Sequence, residues 1–270
     1  MDVENLVAFI KARELARLGK GTDPIIAKYR FCNVRRNDDR VTKWIHMNYM
    51  DLRDPFPWFT LTVARLFNLP ASLRDIKQAV VPFKPDTMSG ILQKRKMAGL
   101  KNFNAAYIVS TNGRAMDKVD YLIQEVLEPL WRKRETISAS LTGATLAQAH
   151  DLLQRQNGLG SFMAAQVLAD LKYLRPEEWS DFHTFAASGP GSKRGLNRVL
   201  GRDIKKPMQE QAFRDTLTAL RTEVNKKLRW KEPLTAQDLQ NCLCEYDKYR
   251  RAKLGTGVPK QIYKPHIRKD

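Results

Sequence analysis

The sequence predicts an all-α fold, two helical lobes around a cleft, and two observations carry that prediction. Five segments repeat apolar residues at three- and four-residue spacing, the period of a helix with one buried face. Strand-like alternation is scarce, and Pro- or Gly-containing breakers separate the helical segments by short connections, as a compact helical protein requires. With 270 residues, 43% of them hydrophobic, the chain can bury a sizeable core as one large domain or as two small lobes.

In chain order, the first helix is VENLVAFIKARELARL, which begins at Val3. Breakers at Asp54-Pro55-Phe56-Pro57 and from Val81-Pro82 to Pro85 precede a second, DKVDYLIQEVLEPLWRKRETI. A third, FMAAQVLADLKYL, follows Gly158-Leu159-Gly160, and QEQAFRDTLTALRTEVNKKL is the fourth, after the breaker Gly189-Pro190-Gly191. Glu232-Pro233 then introduces TAQDLQNCLCEYDKYRR. Residues 1–250 read as a single helical catalytic domain. The stretch 251–270 holds six Lys or Arg and one Asp, interrupted by Gly and Pro, and reads as a mobile basic tail able to touch phosphates. No repeat of fixed period is visible.

Composition narrows the function. The 47 Lys and Arg against 29 Asp and Glu leave a net charge of +18, a self-repulsion that a polyanionic partner relieves, so nucleic acid is the expected partner. No stretch approaches the ~20 consecutive apolar residues of a membrane span, and the charged N-terminus does not read as a signal peptide. A cytoplasmic protein without membrane partners is expected, in the host cytoplasm if a phage encodes it. The odd set Cys32, Cys242 and Cys244 supports neither a disulfide framework nor a zinc site, so free thiols and no metal ligands are expected. The sequence has no GxxxxGK[ST], GxGxxG, HExxH or GxSxG motif, which argues against a nucleotide kinase, a Rossmann dehydrogenase and a zincin.

Three clusters carry chemistry. In LLQRQNGLGSFMAAQVLADL, from Leu152 to Leu171, one helix ends near Asn157-Gly158 and a second starts near Ser161. Gly158 and Gly160 permit positive φ and close approach, and with Ser161 they present free amides that can hold a DNA phosphate; an ordinary C-cap glycine before a core helix is the plainer reading. The segment Trp179 to Phe185 places Asp181 and His183 about twenty residues after the hairpin, as a candidate acid–base pair, Asp181 alternatively capping the following helix. Together these resemble the hairpin, helix and Asp-x-His order of helix-hairpin-helix DNA glycosylases. The position where the lysine-bearing members keep their nucleophile is Phe162, which disfavours a Schiff-base lyase.

The second cluster, Ser188 to Arg198, is a glycine-rich turn opening a helix, in which backbone amides, the Ser192 hydroxyl, Lys193 and Arg194 are candidates for holding pyrophosphate. A capped loop with solvated cations is the alternative. The third runs from Lys28 to Arg40, where Asn33, Arg35, Arg36, Asp38 and Asp39 either clamp helices or bind a zwitterionic substrate and phosphate. The mixed helix Gln240 to Tyr249 has the same character, its cysteines serving packing.

Five ordered blocks, YRFCNVRRNDDRVTKWI, NAAYIVSTNGR, GLGSFMAAQVLADLKY, DFHTFAASGPGSKRGLNR and QNCLCEYDKY, span residues 25 to 250 and resemble the helical domain of phage thymine-hypermodification proteins. These are the α-glutamyl/putrescinyl thymine pyrophosphorylases, or amino acid:DNA transferases, whose helical domain also occurs fused to 5-hydroxymethyluracil DNA kinases. Without a P-loop, the chain resembles the free-standing transferase form. The resemblance implies an enzyme acting after the kinase on pyrophosphorylated 5-hydroxymethyluracil in double-stranded DNA. It would replace pyrophosphate by an amino acid or polyamine on a base turned out of the helix. No cofactor is implied beyond Mg²⁺ that could accompany the pyrophosphate. A monofunctional glycosylase and a non-catalytic DNA-binding module are the second and third readings.

Overall fold

The computed structural model of the chain describes residues 2–21, 23–104, 109–259 and 261–263. Among them every regular element is helical, and the strand-like pairing is confined to an isolated bridge between Tyr29 and Ile262. The chain divides into two compact units, Met1–Asp39 with His183–Asp270, and Arg40–Phe182. The first unit is therefore completed only when the chain returns to it, an arrangement that periodicity along the sequence cannot reveal.

The first unit opens with α1 (Val3–Arg17) and α2 (Pro24–Lys28). Asp2 caps α1 by accepting from the Asn5 amide, and Asp23 caps α2 by accepting from the amides of Ile25 and Ile26 at 2.9 and 3.0 Å. The second unit holds α3 (Arg40–Tyr49), α4 (Pro57–Phe67), α5 (Pro70–Ile76) and α6 (Pro85–Met97). Then comes a helical run, α7 (Lys118–Asp120), a π-helical stretch (Tyr121–Leu127) and α8 (Glu128–Arg132), followed by α9 (Arg134–Leu141), α10 (Leu146–Gln154) and α11 (Gly160–Leu171). Pro57, Pro70 and Pro85 each start a helix, where a missing N–H costs nothing, so the proline clusters read as separators are also helix beginnings.

α4 is buried on all sides, and its Arg65 is held by a fully buried partner, Asp170 of α11. Arg65 Nη2 donates to Asp170 Oδ1 at 2.6 Å, while Thr42 Oγ1, Asn68 Oδ1 and His46 Nε2 complete the network at 3.0 to 3.1 Å. A buried ion pair survives desolvation when its remaining lone pairs and protons are satisfied in this way, and here it fixes how α4 packs on α11.

The chain returns through α12 (Pro190–Val199), α13 (Glu210–Leu228) and α14 (Ala236–Lys253). Phe213, Leu217 and Leu220 of α13 meet Leu6 and Ile10 of α1 and Leu239, Leu243 and Tyr246 of α14 in one apolar core. Arg251 to Lys253, expected in a mobile tail, instead finish α14, whose C-terminus carries Arg250, Arg251 and Lys253 where cations suit the helix dipole. Gln261 and Tyr263 pair with Arg30 and Lys28 through backbone bonds of 2.9 and 3.0 Å. The rest of the tail, 264–270, lies outside the described residues, as do Ala105–Ile108 of the block NAAYIVSTNGR.

Candidate functional site

In the second unit the predicted hairpin is present. α10 ends at Gln154, α11 begins at Gly160, and Gly158 and Gly160 have φ of +79° and +54°. A side chain at Gly158 would place its Cβ 2.4 Å from Val126 Cγ2, so only glycine lets the turn dock there. The docking has a backbone cause. Pro129 cannot donate to the carbonyl of Glu125 four residues back, and that oxygen accepts from Asn157 Nδ2 at 2.7 Å instead. Gly160, Ser161 and Phe162 are exposed at the start of α11, which carries no acidic residue in its first turn and no side-chain cap. The Ser161 carbonyl meets His150 Nε2 at 3.0 Å. Phe162 is 57% exposed.

Asp181 also lies in this unit, and its two oxygens accept from the amides of Leu146 and Ala147 at 2.7 and 3.0 Å. It therefore caps α10, a helix that precedes it in sequence, in place of the following helix that sequence alone offers. Nearby, Lys172 is buried with its ammonium 4.5 Å from the centre of the Phe182 ring and 5.2 Å from that of Tyr173. His183, the other residue of the expected pair, is exposed in the first unit, and its carbonyl accepts from the Ala236 amide at 2.9 Å.

The glycine-rich segment of the first unit performs a different task from the anion nest expected of it. Gly191 and Gly195 lie inside α12 and face α14. A Cβ on Gly195 would stand 2.0 Å from the Leu243 carbonyl oxygen, and one on Gly191 2.4 Å from Cys244 Sγ. The two glycines thus let the helix backbones touch. Ser192 is fully buried, and its hydroxyl bonds to the Gly189 amide and carbonyl at 2.9 and 3.0 Å and accepts from Gln240 Nε2 at 3.2 Å. Burial and these bonds remove it from any solvent-side ligand, a correction to its expected role. Lys193 donates to the Met208 carbonyl at 2.8 Å and stands 4.0 Å from Glu210, with its side chain 33% exposed.

Arg194 alone of the three expected pyrophosphate ligands joins a cationic site. The close α12–α14 contact brings Arg194 and Arg198, one turn apart, onto Asp247, while Arg251 reaches the same carboxylate from one turn along α14. The Nε distances are 2.8, 2.9 and 3.3 Å. Asp247 is entirely buried, and Arg194 and Arg251 are 37% and 36% exposed. Arg194 and Arg198 donate Nε–H to Asp247, whereas Arg251 Nε lies at ion-pair distance from it without a hydrogen bond; among the described residues the terminal nitrogens of all three make no hydrogen bond. Three cations around one carboxylate leave two positive charges in excess, oriented by a partner that solvent cannot reach. Guanidinium groups fixed in this way are suited to phosphate oxygens. Sequence reasoning does not single out Arg198, Asp247 and Arg251, although the i,i+4 spacings of Arg194 with Arg198 and Asp247 with Arg251 place each pair on one helix face.

The charged segment 28–39 is a strap on α14. Lys248 donates to the Arg30 carbonyl at 3.0 Å, the Cys32 amide to Glu245 at 3.0 Å, Asn241 to the Asn33 carbonyl at 3.0 Å and the Arg36 amide to Asp238 at 3.1 Å. Positions 238, 241, 245 and 248 are one helix face, so two distant blocks of sequence are one structural unit. Asn33 Nδ2 is used on the Asp38 carbonyl at 2.8 Å, and Arg35 donates to the Glu232 carbonyl and lies 5.6 Å from the Trp230 ring centre. Asp38 stands 3.6 Å from Arg17, and the backbone amide of Asp39 bonds to the Arg36 carbonyl at 3.1 Å. Asn33, Arg35 and the Arg36 backbone thus make the contacts of a clamp.

The model of the family described as 5-hmdU DNA kinase, helical domain, matches residues 10–257. The chain belongs to that family. No curated protein and no solved structure matches it. Membership in the 5-hmdU DNA kinase helical-domain family ties the chain to enzymatic thymidine hypermodification of DNA. The matched range takes in both the strap and the arginine site of the first unit and the hairpin of the second. Among the described residues no helix is long and apolar enough to cross a membrane.

Proposed function

We propose that the chain is an amine:DNA transferase acting on pyrophosphorylated 5-hydroxymethyluracil in double-stranded phage DNA. The amine nitrogen bonds to the exocyclic methylene carbon, the carbon–oxygen bond to pyrophosphate breaks, and the electron pair leaves with pyrophosphate. The ammonium proton passes to a carboxylate or to water. The observation that carries this reading is the set of three arginines oriented by buried Asp247, a seat for a departing polyanion that base excision would not need. Mg²⁺, where used, would ride on the diphosphate, because Asp247 is enclosed by guanidinium groups. The hairpin amides of Gly160 and Ser161 supply a grip on the DNA backbone, and the net charge of +18 supplies the long-range attraction.

The test is to incubate the protein with pyrophosphorylated hydroxymethyluracil DNA and a panel of amines, digest to nucleosides and weigh them. Pyrophosphate release that depends on added amine, with a nucleoside heavier by that amine, is the expected result. Abasic sites formed without amine would establish a glycosylase instead, and unaltered nucleosides beside salt-dependent binding a DNA-binding module.

A further inference from the structure

The first unit contains a second site outside the arginine cluster. A cavity of about 340 Å³ lies between α1 and α14, within the size range of small-ligand pockets. Phe9, Tyr246 and Tyr249 form an aromatic wall, and Asp23, Arg250 and Lys253 supply charge. Asp23 spends one oxygen on capping α2; the other accepts from the Tyr249 hydroxyl at 2.8 Å and, as a carboxylate oxygen, keeps a further acceptor site. Arg250 donates to the Tyr246 hydroxyl at 3.1 Å and stands 3.8 Å from Asp2. Lys253 makes no ion pair among the described residues, its ammonium lying 5.9 Å from the Tyr249 ring centre. Burial holds the Tyr249 hydroxyl protonated, its pKa pushed up to about 12, so it remains a donor to Asp23.

We infer that this cavity takes the amine donor, and that the donor is a zwitterionic α-amino acid. The inference rests on the transferase reading above. Arg250 and Lys253 fit the carboxylate of such a molecule, while Asp23 and the electron-rich faces of the tyrosines fit its ammonium group. A polyamine, cationic at both ends, would leave one end against Arg250 and Lys253 with nothing to neutralise. The volume exceeds that of glycine and admits a side chain as long as that of glutamate. Successive residues on a helix turn by about 100°, so Arg250 of the cavity and Arg251 of the arginine cluster occupy neighbouring faces of the last turn of α14. Donor and leaving group would thus be held by one helix.

The experiment titrates glycine, glutamate, putrescine and inorganic phosphate into the full chain and into three variants. Arg250→Ala and Lys253→Ala remove the carboxylate partners, the second at an exposed position, and Ala12→Leu fills the cavity without altering charge. Expected are saturable binding of glycine or glutamate, none of putrescine, and about tenfold or greater weakening in each variant, as loss of a charge-assisted hydrogen bond or of room requires. In pyrophosphate release, KM for the amino acid should rise with kcat nearly kept. Tighter binding of putrescine, equal competition by inorganic phosphate, or amino-acid affinity unchanged in all three variants would overturn the assignment. Failure of every amine to release pyrophosphate, with amino-acid binding intact, would instead reject the transferase reading.

Discussion

Substituting Gly195 by alanine tests the contact on which the arginine site depends. The new Cβ would meet the Leu243 carbonyl oxygen at 2.0 Å and its carbon at 2.7 Å, about 1 Å closer than real Cβ atoms approach. Backbone of a buried helix is the obstacle, so α12 must move away from α14 and cannot relieve the clash by turning a side chain. Overpacking of this kind costs ~1–3 kcal/mol, and alanine's better helix propensity returns only ~1 kcal/mol. A rigid backbone obstacle 2.0 Å away puts the cost at the upper end of that range, so a net loss of ~2 kcal/mol is expected. Gly90 is the control: it lies exposed in α6 with nothing within 4 Å of the place its Cβ would occupy, so Gly90→Ala should gain ~0.5–1 kcal/mol from propensity alone. Urea unfolding followed by circular dichroism measures both midpoints. The Gly195 variant should also bind DNA more weakly, because Arg194 and Arg198 move with α12. Equal stability of Gly195→Ala and the parent would show that the helices do not pack as described, and the arginine cluster would lose its basis.

Other outcomes follow from the same contacts. Asp247→Ala leaves three guanidinium groups without their common partner; about 3 kcal/mol of stability should be lost, the low end for breaking a buried pair because Arg194 and Arg251 reach solvent, and urea unfolding would read it. Arg194→Ala combined with Arg251→Ala should abolish pyrophosphate release and, if each contacts one phosphate, reduce the salt slope of DNA binding by about two, measured by fluorescence anisotropy across ionic strengths. Asp181→Asn keeps an acceptor for one of the two α10 amides and should cost ~1 kcal/mol of stability while lowering amine transfer by ~10²–10⁴; unchanged turnover would leave the side chain with capping alone. Burial raises the pKa of the Cys242 and Cys244 thiols, so thiolate is scarce at pH 8 and iodoacetamide should modify both slowly in the folded chain and rapidly in guanidinium, read by mass spectrometry.

Much of the second unit's hairpin is legible in the sequence because its cause is local. Gly158 and Gly160 permit the positive φ that a tight turn needs, and the helices on either side announce themselves by spacing. The glycines of α12 have the same residue type and the opposite purpose: nothing near Gly191 or Gly195 in sequence says that Leu243 and Cys244 lie against them. Asp181 is legible as a residue able to cap a helix, yet which helix it caps depends on where the chain has already been. The strap shows the same limit, since Asn33 and Arg35 carry groups fit for a ligand until α14 and the loop before it supply their partners.

By itself, then, the sequence determined the helical class, the hairpin and an excess of positive charge, because propensity, glycine conformation and net charge are properties of short segments or of composition alone. Tertiary structure decided which charges are spent and which are presented. Asp247 becomes the anchor of three arginines only because two helices far apart in the chain touch through glycine, and Arg251 leaves the tail for that site because α14 continues past it. Hydrogen-bond partners and burial are relations between segments, and the order of residues does not contain them until the chain has folded.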